Sequence, residues 1–232
     1  MVGHAALSVL FTGLFTVASA QAGLVEDLRD SLREKHHGVT YREARELVVG
    51  ALDVLPNSTG LTGVDVYCDR TYSVDEKTRQ PLSREPLNVE HTWPQSKFSD
   101  ADRGTKKSDL HHLYPSDVEM NSNRGNFAFG AVARVTKSLK CSVSKLGLGR
   151  DGEIRFEPPV RHKGNVARAM FYFAVRYNQR LDAEQEAALR EWHKLDPVDE
   201  REIYRNNLVE RYQGNRNPFI DQPELVDFIA DF

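Results

Sequence analysis

The stretch Asn88-Val89-Glu90-His91-Thr92-Trp93-Pro94-Gln95-Ser96 limits the fold more than any other part of this 232-residue chain. It is short and bounded by proline, which favours extended backbone that stops at Pro94. Successive side chains of a strand point to opposite faces. Glu90 and His91 can therefore share one site only where the strand bends or ends, and Pro94 provides that end. An imidazole has an unperturbed pKa near ~6.5, so His91, held by a backbone carbonyl or a side-chain acceptor, can be neutral and take a proton from water. Glu90 is a hard oxygen ligand of the kind Mg²⁺ or Ca²⁺ prefers.

The surrounding patterns describe one α+β domain, mainly helical. Tyr41, Ala44, Leu47, Val48, Ala51, Leu52 and Leu55 recur at helical spacing, and Pro56-Asn57 ends the run. Val64 to Cys68 alternates like a short strand. Val166, Met170, Phe173 and Tyr177 mark a second amphipathic helix, and Leu181 to Leu195 a third around Ala188 and Trp192. Gln213 to Phe219 reads as a loop, and a last short helix after Pro223 turns Leu225, Phe228 and Ile229 inward. No linker or repeat interrupts these elements, so a single domain is expected over residues 21–232.

The N-terminus is different in kind. Ala5 to Val17 is mostly apolar, and Ala18-Ser19-Ala20 supplies the small-x-small pattern cut by signal peptidase. Residues 1–20 are read as a signal peptide cleaved after Ala20, although no Lys or Arg precedes the apolar run. Ser8, Thr12, Thr16 and Ser19 make it a poor membrane span. The mature protein is expected in the periplasm or outside the cell, monomeric and free of the membrane. In an oxidising compartment Cys68 and Cys141 form a reasonable disulfide, with two buried thiols as the alternative.

A net charge of -3 argues against a polyanionic partner until it is resolved along the chain. Between Arg134 and Arg168 lie nine basic residues opposed only by Asp151, Glu153 and Glu157, while acidic residues gather after Arg180. Lys97, Arg103, Lys106 and Lys107 add positive charge nearer His91. A basic face with an acidic back is compatible with nucleic-acid binding, and equally with an unevenly charged solvated surface.

Two further clusters follow, Ser108-Asp109-Leu110-His111-His112-Leu113-Tyr114-Pro115 and Asn121-Ser122-Asn123-Arg124-Gly125-Asn126-Phe127. Ser116 can cap a helix whose first turn holds Asp117 and Glu119, and on a helix Asn123 and Asn126 share a face. A neutral amide beside Glu90 leaves most of a cation's shell to water and phosphate oxygens, and Arg124 can supply a phosphate-binding fork. Capping and turn chemistry is the commoner use of such asparagines. The GxGxxG match at Gly147 to Gly152 is a turn, because strand-like Glu153 to Phe156 follows where a dinucleotide site needs a helix.

Together these blocks resemble the bacterial endonuclease I family of secreted or periplasmic non-specific nucleases. The resemblance extends through Lys163 to Ala169 and Gln213 to Asp221, in order from about Tyr41 to Asp221. It implies a ββα-metal, or His-Me, finger at the core. It implies His91 as general base, and Glu90 and Asn126 as ligands of one Mg²⁺. It also implies DNA as substrate, with RNA as a further one, and 5′-phosphate products. Asn126 is preferred over Asn123 and Asn121 because it stands immediately before Phe127. Arg124 becomes a phosphate or transition-state contact, and Asp109, His111 and His112 supports for the liganding residues. Some members are cysteine-rich; this chain has two cysteines, so packing must hold its core and oxidative inhibition does not carry over. The alternatives are an extracellular ribonuclease of the same fold and a catalytically silent secreted nucleic-acid-binding protein. Rates on RNA and on DNA separate the first; binding without cleavage identifies the second.

Overall fold

The computed structural model describes residues 23–82 and 86–232. The expected signal peptide and its cleavage point after Ala20 lie outside the described residues. Helical residues 23–34 (α1) precede Tyr41–Leu47 (α2), whose N-terminus is fixed by a capping box: the Thr40 hydroxyl accepts from Glu43 N–H, and Glu43 accepts from Thr40 N–H. α2 loosens into a π turn over Val48–Leu52 and stops there. Leu55, expected to extend this helix, instead opens β1 (Leu55–Asn57), which folds against β2 (Gly60–Asp65) and β3 (Arg70–Val74) as an antiparallel meander. Pro56 is exposed on the edge strand, where its missing N–H costs no ladder bond.

The next elements carry the site. β4 (Leu87–His91) is followed by a 3₁₀ turn, Gln95–Lys97, by α3 (Arg103–Ser108) and by a second 3₁₀ turn, Leu110–His112. The chain returns as β5 (Leu113–Asp117), antiparallel to β4 with Glu90 opposite Tyr114 and His91 opposite Leu113. It then enters α4 (Val118–Arg124). Strand, strand, helix is the ββα unit that the resemblance implied. α4 is capped by Asp117, whose carboxylate accepts from Glu119 and Met120 N–H, and not by Ser116. β5 runs one residue further than the sequence suggests, so the cap moves with it.

β6 (Ala128–Phe129), β7 (Arg134–Lys137), β8 (Lys145–Leu148) and β9 (Ile154–Glu157) form a four-stranded sheet in the order β6-β9-β8-β7. α5 (Lys163–Tyr177) crosses behind the ββα unit and is buried at every position except Asn165, so it is a central helix and not an amphipathic one. Two of its charges are matched: Lys163 Nζ meets Glu157 at 2.6 Å, and Arg168 donates to Glu202 through Nε at 2.8 Å. α6 (Ala183–Leu195) packs on α5, and α7 (Glu200–Gln213), α8 (Pro218–Asp221) and α9 (Leu225–Phe228) close the domain. In α9 the inward residue is Val226, while Phe228, expected inside, is 57% exposed.

The largest core gathers on α5, where Phe173 stacks on Trp93 (ring centroids 4.9 Å) and Phe98 (5.6 Å). Both rings sit within a few residues of His91, so core packing fixes the strand end directly. Cys68 and Cys141 are joined by a disulfide, with Cα atoms 5.1 Å apart, tying the loop after β2 to that before β8. Among the described residues no helix is long and apolar enough to cross a membrane.

Candidate active site

His91 is the last residue of β4, so the pleat no longer separates it from Glu90, and both line one open cavity of about 540 Å³. His91 is held from two sides. Its Nε2–H donates to the Lys107 carbonyl at 3.0 Å, which fixes the tautomer and leaves Nδ1 with a lone pair. Gln95 Nε2–H approaches that lone pair at 3.3 Å. The Lys107 carbonyl belongs to the last turn of α3, where helix geometry leaves acceptors without intrahelical partners. The preceding carbonyl, Lys106, takes His112 Nε2–H at 2.6 Å. The two imidazoles thus cap one helix end side by side, their centroids 5.5 Å apart.

Burial depresses the His91 pKa to about 3, with His112, Lys107 and Arg124 adding to the effect against the Lys107 hydrogen bond. The ring is neutral across the working range. Burial pushes the Glu90 carboxyl up to about 7, restrained by Arg124. Arg124 Nη1 lies 3.1 Å from the fully enclosed Glu90 Oε1, and the Tyr67 hydroxyl adds a second, smaller restraint on the carboxyl.

Arg124 departs from the expectation of a free phosphate fork. It is 1% exposed, and its guanidinium donates to the His91 carbonyl (3.2 Å) and the Thr92 carbonyl (2.6 Å) as well as facing Glu90. Its geometry is that of a clamp on the end of β4.

The asparagines separate. α4 ends at Arg124 because Gly125 takes a positive φ of 54°, so Asn126 is not on the helix face expected for it. Asn126 instead reaches the cavity from the loop, where its Nδ2 donates to Ser96 Oγ at 3.3 Å. Asn121 lines the same cavity and donates to the Val89 carbonyl at 3.3 Å. Asn123 turns away and accepts from Lys137 Nζ at 2.6 Å.

Asp109, His111 and His112 lie behind the site. Asp109 is fully buried and accepts from Tyr172 (2.9 Å), Tyr177 (2.8 Å), Gln213 (2.8 Å) and the His111 N–H (3.0 Å). Burial raises its carboxyl, but the histidines around it and Gln213 hold it well below the ordinary range. This node pins the 3₁₀ turn that carries His112 against His91. His111 turns the other way, donating to the Asn215 carbonyl at 3.2 Å. Burial holds both rings down at about 4, opposed by Asp109.

Sequence reasoning missed Gln95 as the residue meeting Nδ1 and Tyr41 as the ring beside His91, 5.7 Å away. Gln95 follows His91 by four residues across the proline, a spacing that a turn after Pro94 would have flagged. The basic stretch from Arg134 to Arg168 is only in part an open face: Arg134, Lys137, Arg150 and Arg161 are exposed, but the others are paired. Arg155, Lys163 and Arg168 are buried in ion pairs, Lys140 meets Asp117, and Lys145 meets Glu157.

Among the described residues no three His, Cys, Asp or Glu side chains are grouped to hold a metal ion. The oxygen donors lining the cavity are the Glu90 carboxylate, the side-chain amides of Asn88, Gln95, Asn121 and Asn126, and the hydroxyls of Tyr41 and Ser96, all hard oxygens. That set fits a weakly held divalent cation completed by water and phosphate.

The family model described as Endonuclease I matches residues 24–224. An extracellular ribonuclease of Bacillus subtilis is 42% identical over 163 residues, covering 61% of this chain and 53% of the relative. One of Bacillus amyloliquefaciens is 37% identical over 160 residues, covering 61% and 53%. A periplasmic deoxyribonuclease of Aeromonas hydrophila is 33% identical over 118 residues, covering 50% and 48%. The chain spans about half the length of the curated relatives it matches.

Proposed function

The chain belongs to the Endonuclease I family, and on that premise we propose that it is an exported, metal-dependent endonuclease hydrolysing phosphodiester bonds of DNA without sequence preference. The observation that carries this reading is the fixed tautomer of His91, with Nε2–H held by Lys107 and Nδ1 turned to the cavity that Glu90 and Asn126 line. Nδ1 is the general base that takes a proton from the attacking water. The Gln95 amide, 3.3 Å away, marks where a donor meets that lone pair. The Lys107 carbonyl holds the ring in plane and stabilises the imidazolium that forms. Arg124 keeps the strand end and Glu90 in register. A divalent cation, proposed as Mg²⁺ held by Glu90 and Asn126, would supply stabilisation to the phosphate and the leaving 3′-oxygen, giving 5′-phosphate ends.

A ribonuclease is the second reading, favoured by the Bacillus relatives of that name, 42% and 37% identical. Export is supported by the apolar N-terminus and by relatives named extracellular or periplasmic.

Cleavage of plasmid DNA and of RNA by wild type and His91→Ala, with and without EDTA, tests the reading. Loss of all but a residual rate is expected for His91→Ala on both substrates and for wild type in EDTA. Full hydrolysis by His91→Ala would remove the proposed base. Asn126→Ala is expected to shift the Mg²⁺ dependence while Asn123→Ala is not; an unchanged titration in Asn126→Ala, with a shift in Asn121→Ala, reassigns the ligand.

A further inference from the structure

The nuclease reading leaves open how a polymeric substrate lies across the site. We propose that the strand runs through one continuous trough with the reaction centre at its middle, and that Arg42 and Arg45 grip its phosphates on one side. This inference rests on the nuclease reading. Three cavities adjoin. The central one, containing Glu90 and His91, shares Tyr41, Asn88 and Val89 with a second of about 500 Å³ beside α2. It shares Pro94 and Arg124 with a third of about 220 Å³ on the other side.

The arm beside α2 carries the guanidinium groups of Arg42 and Arg45, both exposed, and neither has a hydrogen-bond or ion-pair partner among the described residues. That sets them apart from Arg155, Lys163 and Arg168, whose charges are spent on carboxylates of the fold itself. An unpaired guanidinium beside a cleft is suited to the bidentate geometry of a phosphate. Among the described residues Glu46 is the one carboxylate lining this arm, and Leu87 and Pro86 give it an apolar wall on which sugar rings can rest. The opposite arm holds Lys97 and the Phe127 ring, which is 37% exposed. A cation and an aromatic face together suit a single strand, with one group for the backbone and one for a base. Nothing in this arrangement reads base edges in a groove, consistent with contacts that position without specifying sequence.

The test is binding of a fluorescein-labelled single-stranded oligonucleotide in EDTA across rising KCl, by anisotropy, for wild type, Arg42→Gln/Arg45→Gln and a control, Arg150→Gln/Arg211→Gln. The control removes two exposed arginines outside the trough. The Arg42/Arg45 variant should bind on the order of 10-fold more weakly at low salt, with the slope of log K against log salt reduced by about 1.4 for two lost phosphate contacts. The control should keep the wild-type slope. With metal present the same variant should show raised KM and unchanged kcat, and its melting temperature should match wild type because neither arginine makes a hydrogen bond or ion pair among the described residues. A variant with wild-type slope and KM overturns the trough and leaves the nuclease reading intact. Salt-dependent binding lost in the variant, in a protein that never cleaves, supports the trough and refutes the nuclease reading.

Discussion

Acidification from pH 7 to pH 5 should destabilise this protein sharply, because four imidazoles are enclosed in their neutral form. Burial holds His111 and His112 at about 4, and His91 and His162 at about 3. In the unfolded chain each returns to about 6.5. Below that value the unfolded state binds protons that the folded state refuses, so the stability is fully present above pH ~6.5 and is lost as pH falls toward the folded values. Over the two pH units each ring contributes a loss of about 2 kcal/mol. Glu90 acts in the opposite sense: burial raises it to about 7, so the folded state takes up its proton first and returns about 2 kcal/mol. The net loss is about 6 kcal/mol, against a typical total of ~5–15 kcal/mol. Urea unfolding followed by circular dichroism at both pH values, in EDTA so that no cation holds Glu90 ionised, measures it. His162→Asn, away from the proposed chemistry, should remove about a third of the net loss. A urea midpoint that does not move between pH 7 and pH 5 would refute the argument that these rings are buried and neutral.

Two other expectations follow from named contacts. Arg124→Met strips a buried partner from Glu90 and two carbonyls at the end of β4; it should cost about 3–5 kcal/mol by urea unfolding, and a variant that loses activity with unchanged stability would restore Arg124 as a substrate contact. Cys68→Ser/Cys141→Ser opens a loop of sequence separation 73 and should lower stability by about 4 kcal/mol in the chain-entropy model, with no change in metal dependence; a melting temperature equal to wild type would contradict it.

What the sequence made legible was local. The strand end shortly before Pro94, the Glu90-His91 pair and the carbonyl-held imidazole all depend on neighbours a few residues away or on backbone groups that any fold supplies. The ββα order follows from that segment and the cluster after Asp109. Errors arose where one residue's backbone decided the outcome. Helical spacing carried Asn126 onto the face of Asn123, yet Gly125 stops the helix between them. Ser116 and Asp117 are both good caps, and the length of β5 chooses between them.

The larger misreadings were of charge, and they share a cause. A count along the chain cannot see partners distant in sequence. Arg155 finds Asp182, Arg168 finds Glu202, and Arg124 turns inward to Glu90 and the strand end. α7 passed unnoticed for the same reason. Its buried side includes Glu202, Arg205, Asn206 and Gln213, so no apolar period betrays it. Arg205 donates to Asp53 and to the carbonyls of Leu110 and Leu113, and Gln213 donates to Asp109. A polar helix thus holds the turn that places His112 against His91. Buried polar networks cost desolvation unless every group is matched, and their geometry is correspondingly restrictive. In this fold that restriction is applied behind the proposed base, where a shift of the 3₁₀ turn would free the ring from its carbonyl. Arg42 and Arg45, which make no ion pair among the described residues, lie beside the cleft instead. Internal pairing of the basic stretch is therefore informative about binding, because it narrows the side chains that can meet a phosphate to those the fold has not already used.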